Sequence, residues 1–93
     1  MPRYEVLLSA TAKGQLNDLP ADHRRRVVTA LQRLGEDPFA PRPGADIRKL
    51  WQEGDLPMYR LRIGTYRVLY FVVGREVRVT RVARRPVAYR GLD

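Results

Sequence analysis

Arginine side chains dominate the part of the chain where chemistry could occur. Residues 59–90 contain nine arginines and a single acid, Glu76, whereas the remainder of the chain contains nine basic and nine acidic residues. The net charge of +8 therefore comes from one segment. Arginine binds phosphate through two parallel hydrogen bonds and keeps its charge at any physiological pH. A GC-rich genome would explain the excess of arginine over lysine but not this clustering, so the segment predicts a surface that faces a polyanion.

Other catalytic groups are scarce in this sequence. His23 is the only histidine, and its position beside Arg24–Arg26 on a predicted helix favours a surface residue over a catalyst. The chain has no cysteine, and its acids have no spacing typical of metal ligands. Its glycines form no phosphate-binding loop. We therefore expect neither a metal nor a cofactor.

The 93 residues fit one domain, residues 1–93, that begins with a strand and two helices. Alternation predicts a strand at Arg3–Leu8, after which Ser9 could cap a helix. Pro20 begins a second helix, which Gly35 ends. The helices' apolar positions recur at helical spacing: Ala12, Leu16 and Leu19 in the first, and Val27, Leu31 and Leu34 in the second.

Strands follow the helices. Residues 38–57 contain four of the seven prolines, which indicates an ordered loop with a short strand at Ile47–Trp51. We expect Trp51 to anchor this loop on the core rather than to stack on a base. From Met58 the apolar period becomes two, and Gly64-Thr65 and Gly74-Arg75 fit two-residue hairpin loops. The prediction is an α+β fold: an N-terminal strand, a two-helix hairpin and a three-stranded antiparallel β-meander.

Two-residue loops would fix the register of this meander and separate two faces. Ile63 would face Tyr66, so Arg62 would face Arg67. The helices would cover one apolar face. The opposite face, which we call the arginine face, would carry Arg60, Arg62, Arg67, Arg78 and Thr80, with Leu69 and Phe71 between them. A like-charge pair such as Arg62 and Arg67 is unfavourable, and an anionic ligand would explain it; the alternative is a set of solvated charges on an open sheet.

The end of the last predicted strand leaves two registers open. Strict alternation would place Arg84 on the arginine face and would turn Arg81 and Arg85 toward the apolar face. A bulge near residues 80–82 would reverse this order and bring Arg85 to the arginine face. Pro86 ends the strand in either case.

Several stretches of the sequence resemble the RelE/ParE superfamily of toxins from type II toxin–antitoxin systems, and the RelE-like branch in particular. Residues 59–70, YRLRIGTYRVLY, resemble the central hairpin of RelE-type toxins. Arg48–Leu50 resembles the segment before it, and residues 82–90, VARRPVAYR, resemble the C-terminal signature. The resemblance covers nearly the whole chain.

That resemblance implies a function and roles for individual residues. It implies ribosome-dependent, metal-independent cleavage of mRNA at the ribosomal A site, and a hetero-oligomer with a cognate antitoxin that covers the basic face. Arg67 matches the arginine that orients the phosphate, and Arg60 matches a basic active-site position that is often lysine. Arg85 matches the arginine at the leaving group and Tyr89 the catalytic tyrosine. We add Arg62, Arg78, Arg84 and Arg90 as RNA-binding residues.

Differences from the family pattern keep other functions open. The hairpin has no lysine, Arg84 occupies a position where many relatives have histidine, and Pro86-Val87 replaces a polar pair. One alternative is a ParE-like toxin that binds DNA gyrase without nuclease activity, and another is a nucleic-acid-binding module without catalysis. The N-terminus lacks an apolar run typical of a signal peptide, and no stretch is long enough to span a membrane, so we expect a cytoplasmic location.

Overall fold

The protein forms a five-stranded mixed sheet with two helices packed on one face. The computed structural model describes residues 3–54 and 56–84. In chain order, the elements are β1 (Glu5–Leu8), α1 (Ala10–Asn17), α2 (Ala21–Leu34), β2 (Asp46–Glu53), β3 (Leu56–Ile63), β4 (Tyr66–Val73) and β5 (Glu76–Arg84). The predicted α+β class is confirmed, and the sheet is larger than the predicted meander.

Local signals in the sequence account for both helices. The Ser9 hydroxyl accepts a hydrogen bond from the backbone N–H of Ala12 at 3.0 Å and so caps α1. Pro20 directly precedes α2, and Gly35 follows its last residue. The apolar positions predicted at helical spacing are buried or packed against the core. The predicted strand–helix–helix order is therefore confirmed, although β1 begins at Glu5 rather than at Arg3.

The sheet has the strand order β1-β5-β4-β3-β2. Strands β2 to β5 are antiparallel neighbours, and β1 pairs with β5 in parallel. The predicted strand at Ile47–Trp51 is present but longer than expected, because β2 runs from Asp46 to Glu53 and pairs with β3, whereas most of this segment was expected to be a loop. Three of the four prolines that suggested a loop precede β2, and Pro57 lies inside β3 opposite Gln52. The meander therefore has four strands.

The register of the central strands agrees with the prediction from loop length. Ile63 pairs with Tyr66 and Arg62 with Arg67, while Val73 pairs with Glu76. Gly64 and Gly74 open the two loops with φ of 57° and 58°, values that residues with a side chain rarely adopt. The predicted register of these hairpins is confirmed.

A β-bulge interrupts β5 where the sequence left two registers open. Leu69 pairs with Arg81 and Tyr70 with Val79, so Thr80 is the additional residue. The Thr80 backbone oxygen accepts a hydrogen bond from the Ser9 hydroxyl at 3.1 Å, and its own hydroxyl donates to the Leu69 oxygen at 3.3 Å. The cap of α1 thus also holds the bulge, which decides which side chains of β5 reach the arginine face.

The main core lies between the helices and the inner face of the sheet. Tyr70 is fully buried there, and its hydroxyl donates a hydrogen bond to the Pro38 oxygen at 2.7 Å. This bond fastens the segment before β2 to the centre of the sheet. Neither α1 nor α2, nor any other helix of the described residues, has the length and apolar character needed to cross a membrane.

Candidate nucleic-acid interface

The arginine face is the sheet face turned away from the helices. The main core contains residues of both helices together with alternate residues of β3, β4 and β5. Leu69 belongs instead to a second, small apolar cluster, which it forms with Leu50, Met58 and Ala83. All four of these residues come from strands β2 to β5. In the described residues, this cluster lines the arginine face without a helix over it.

Two cross-strand rows of residues form the centre of the arginine face. The first row runs Asp46, Arg62, Arg67 and Ala83 across the four antiparallel strands. The second row runs Arg48, Arg60, Leu69 and Arg81. Directly opposed residues in adjacent strands lie about 4.5–5.5 Å apart at their Cβ atoms. Three residues predicted as RNA-contacting or catalytic, Arg60, Arg62 and Arg67, are therefore neighbours.

Burial distinguishes the central arginines. Arg67 is 3% exposed and Arg60 is 9% exposed, whereas Arg62 is exposed. The alternative that all these residues are solvated surface charges is wrong for Arg60 and Arg67. The sequence could not indicate this burial, because it depends on how the chain folds around these side chains. Arginine cannot lose its proton to relieve burial, so a positively charged floor is built into this face.

A carboxylate also lies on this face, and it was missed in the sequence. Asp46 Oδ1 lies 3.4 Å from Arg60 Nη2, and the Asp46 side chain is 56% exposed while that of Arg60 is 10% exposed. Asp46 also stands opposite Arg62 in the register. It was assigned to a loop because β2 was not predicted as a full strand. Its exposure keeps the net energy of the ion pair within about 0–1 kcal/mol.

The bulge at Thr80 and the full length of β2 add two arginines to the predicted set. Arg81 pairs with Leu69 and thus joins the arginine face, and Arg48 pairs with Arg60. Both side chains are exposed. The sequence leaves the bulge open as one of two registers, and it places Arg48 in the predicted strand Ile47–Trp51 without indicating which face of the sheet this residue occupies.

Arg78 differs from the central arginines. It pairs with Phe71 in the register, as predicted, which sets it near the start of β5. Its guanidinium donates two hydrogen bonds to Glu76 Oε1, from Nε at 3.0 Å and from Nη2 at 2.6 Å. This carboxylate offsets the charge that was expected to contact RNA.

Arg84 does not lie on the arginine face. The bulge places it opposite Tyr66, whose side chain faces the helices, so the expectation from strict alternation was wrong. Arg84 instead borders a cleft of about 390 Å³ that His23 and Tyr66 also line. His23 Nδ1 and the Tyr66 hydroxyl share a hydrogen bond of 2.9 Å, and His23 is half-buried rather than freely exposed.

Three of the predicted site residues, Arg85, Tyr89 and Arg90, lie outside the described residues. Trp51 is half-buried in β2, opposite Met58. A groove of about 960 Å³ lies between β1 and α2 on the helix side and contains none of the predicted site residues. The candidate site is therefore a broad sheet surface and not a deep pocket.

This arrangement suits an extended anion. Guanidinium groups on adjacent strands can each donate paired hydrogen bonds to a phosphate oxygen. Their mutual repulsion decreases when a phosphate binds between them, and the apolar cluster beside them offers contact for a base or ribose. Preorganised cations of this kind also stabilise negative charge that develops in a transition state.

Known proteins have sequences and folds similar to those of this chain. Residues 6–89 match the family model described as the ParE toxin of the type II toxin–antitoxin system parDE. The chain is 29% identical to the RelE1 protein of Methanocaldococcus jannaschii over 90 residues, which are 95% of this chain and 97% of that protein.

Solved structures give the same result. The RelE–RelB complex of Pyrococcus horikoshii contains a chain with a TM-score of 0.78 and 32% identity, covering 90% of this chain and 97% of that one. The RelBE2 toxin–antitoxin complex of Mycobacterium tuberculosis contains a chain with a TM-score of 0.70 and 30% identity, covering 91% of this chain and 100% of that one. The protein belongs to the RelE/ParE family of type II toxins, and it resembles the RelE-like branch.

Proposed function

We propose that the protein is a toxin that cleaves mRNA in the A site of the ribosome without a metal ion. The observation that carries this proposal is the Arg62–Arg67 pair with Arg60 beside it, two of the three with low exposure, on the sheet face opposite the helices. Such a cluster fits an RNA phosphate better than it fits a purely solvated surface. The similarity of the chain to RelE proteins supports the same function.

The proposed chemistry uses the nucleophile of the substrate. The ribose 2′-hydroxyl attacks the adjacent phosphorus, the 5′-oxygen leaves, and a 2′,3′-cyclic phosphate forms. Arg60, Arg62 and Arg67 hold the phosphate and stabilise charge in the transition state. Arg85 stabilises the leaving 5′-oxygen, which takes its proton from water, while Tyr89 accepts the proton of the 2′-hydroxyl because neighbouring positive charge favours a tyrosinate. Arginine itself stays protonated and is a poor base.

The remaining residues in this proposal bind RNA. Arg81 and Arg48 join Arg62 as contacts to flanking phosphates, and Arg90 extends them. Arg84 contacts RNA only outside the arginine face, and Arg78 only if RNA displaces Glu76. We further propose that a cognate antitoxin binds the toxin as a hetero-oligomer and covers the arginine face in the cytoplasm. The two complexes named above contain RelB partners, which supports an antitoxin here.

One observation favours a second candidate function. The matching family model carries the ParE description, and ParE-like toxins act on DNA gyrase by binding it. Both candidates predict a toxic protein neutralised by an antitoxin, and they differ in the process that fails first. Expression of the toxin, followed by pulse labelling of new protein and by topoisomer analysis of a plasmid, distinguishes them.

The nuclease proposal expects protein synthesis to stop before supercoiling changes. A reconstituted translation reaction should yield cut mRNA, and EDTA should not inhibit the chemical step when ribosome integrity is controlled separately. Loss of supercoiling with intact mRNA would instead support the gyrase candidate. Intact mRNA and normal supercoiling would support a nucleic-acid-binding module without catalysis.

A further inference from the structure

A second group of arginines lies along α2, away from the arginine face. Asp22, Arg25, Arg26, Thr29 and Arg33 line one side of a groove of about 400 Å³, and Gly44 and Ile63 line the other. Ala30, 8% exposed, also lines it and gives an apolar floor together with the half-buried Ile63. We call this feature the α2 groove.

The cations of the α2 groove are available for a ligand. Arg25, Arg26 and Arg33 are exposed. In the portion of the chain that the structure describes, no carboxylate forms an ion pair with any of the three. Asp22 lines the same groove but lies beyond ion-pair distance of them. The groove thus has a positively charged rim, with one acid at the end nearest the N-terminus of α2.

Two of these exposed arginines have guanidinium groups close to backbone turns. A Cβ added to Gly44 would meet Arg33 Nη1 at 2.6 Å, so the guanidinium packs against this glycine. A Cβ added to Gly64 would lie 3.9 Å from Arg26 Nη1, beside the β3–β4 loop.

The α2 groove lies next to the arginine face, at the edge where β3 ends. Ile63, on its wall, directly follows Arg62, and Gly44 is two residues before Asp46, the partner of Arg62 in the register. A polyanion bound along the first row of the arginine face can therefore turn around this edge into the groove. The eight residues from Arg26 to Arg33 span about 10 Å of helix axis. That length exceeds the roughly 3.4 Å per nucleotide of a stacked strand, so the groove holds more than one nucleotide.

We infer that the α2 groove binds the phosphates of the RNA strand that continues from the arginine face. The inference rests on the proposed function, since it assumes RNA at the arginine face. The guanidinium groups bind the phosphates, and the apolar floor contacts ribose or base. A long RNA would therefore contact both surfaces, whereas a short one would contact the arginine face alone.

Salt dependence of binding provides the test, with fluorescein-labelled oligouridylates of about 4 and about 16 nucleotides as probes. Each phosphate contact adds about 0.7 to the slope of log Kd against log salt concentration for a single strand. The triple variant Arg25→Gln/Arg26→Gln/Arg33→Gln should lower the slope for the long probe by about 2 and leave that for the short probe unchanged. Replacement of the same three residues by lysine should keep the wild-type slope, because lysine also displaces counterions.

A matched control removes three exposed cations elsewhere, as Arg3→Gln/Lys13→Gln/Arg75→Gln. This variant has the same net charge as the glutamine triple and should change the long-probe slope by less than half as much. Equal changes in both triples would mean that net charge alone acts, and would overturn the inference. An unchanged RNA slope with weakened binding of a polyglutamate peptide would assign the groove to an acidic protein partner and would also overturn it. A failure of the proposed function would be recognised separately. If RNA did not bind the arginine face, Arg62→Gln would leave the binding of the short probe unaffected.

Discussion

Arg62 lies directly opposite Arg67 across β3 and β4, yet the two side chains have different surroundings, since Arg62 is exposed and Arg67 is 3% exposed. The pair is a like-charge contact that costs a few tenths of a kcal/mol in the absence of an anion. Asp46, which stands opposite Arg62 in the register, offsets part of this repulsion, and the proposed RNA phosphate would offset more. Because the two side chains differ in burial, their removal should have different effects on the free energy of unfolding.

Substitution of each arginine by alanine should distinguish these effects. Arg62→Ala should change the free energy of unfolding by no more than about 0.5 kcal/mol, because the side chain is exposed. Arg67→Ala should lower it by about 1–2 kcal/mol, since lost packing of the buried stem outweighs the relief of repulsion. Both variants should reduce mRNA cleavage strongly. Urea unfolding and cleavage assays provide the measurements, and a fully active Arg67→Ala variant would remove Arg67 from the proposed site.

Asp46 should restrain RNA binding while it stabilises Arg60. Asp46→Asn removes the carboxylate 3.4 Å from Arg60 Nη2, so the free energy of unfolding should fall by less than about 1 kcal/mol. The affinity for a short oligouridylate should rise, because one negative charge leaves the arginine face. Fluorescence anisotropy at low salt measures this change, with the exposed acid Asp18 as a control through Asp18→Asn. Weaker binding by Asp46→Asn alone would show that the carboxylate orients Arg60 for RNA.

Tyr70 should make the fold sensitive to alkaline pH. Burial raises the pKa of Tyr70 well above the ordinary value of 10.0, so the folded state retains this proton when the unfolded chain loses it. The free energy of unfolding should therefore be unaffected below pH of about 10 and should fall above it, by up to about 1.4 kcal/mol per pH unit. Tyr70→Phe should abolish this component of the slope.

The same variant should also lower stability at neutral pH by about 1–2 kcal/mol, because the Pro38 oxygen loses its hydrogen bond. Tyr59→Phe is the matched control, since Tyr59 stacks on Tyr70 with a centroid distance of 5.5 Å but is only half-buried. Urea unfolding at several pH values between neutral and alkaline measures both effects. An identical pH slope in the wild type and in Tyr70→Phe would contradict the burial argument.

Tyr89 should contribute to catalysis rather than to binding. Tyr89→Phe removes the proposed proton acceptor and should slow the cleavage step by about 10²–10⁴-fold. Ribosome binding should change little, because the arginines that hold the phosphate remain. Single-turnover cleavage together with a ribosome pelleting assay separates the two quantities. Loss of ribosome binding with an unchanged cleavage rate for bound complexes would assign Tyr89 to binding.

Local signals in the sequence were sufficient to predict most of the fold. The Gly64-Thr65 loop fixed the Arg62–Arg67 register, and Ser9 and Pro20 marked the helix starts. The full strand β2 was not predicted, because its partner β3 stabilises it while nearby prolines indicate a loop. Asp46 was consequently missed as a member of the site.

Two further features of the site depended on long-range contacts. The burial of Arg60 and Arg67 results from the way the whole chain folds around them, which no local pattern encodes. The bulge at Thr80 had been placed within residues 80–82, but nothing in the sequence chose between the two registers. That choice decides whether Arg81 or Arg84 joins the arginine face.

Cleavage of a modified mRNA tests the central claim most directly. A ribosome programmed with an all-ribose mRNA is compared with one whose mRNA has a single 2′-deoxy residue at the cut site, and the product ends are identified by mass spectrometry. The mechanism predicts that the ribose mRNA yields 2′,3′-cyclic phosphate or 3′-phosphate ends and that the deoxy mRNA stays intact. Cleavage of the deoxy mRNA, or products with 3′-hydroxyl ends, would contradict it.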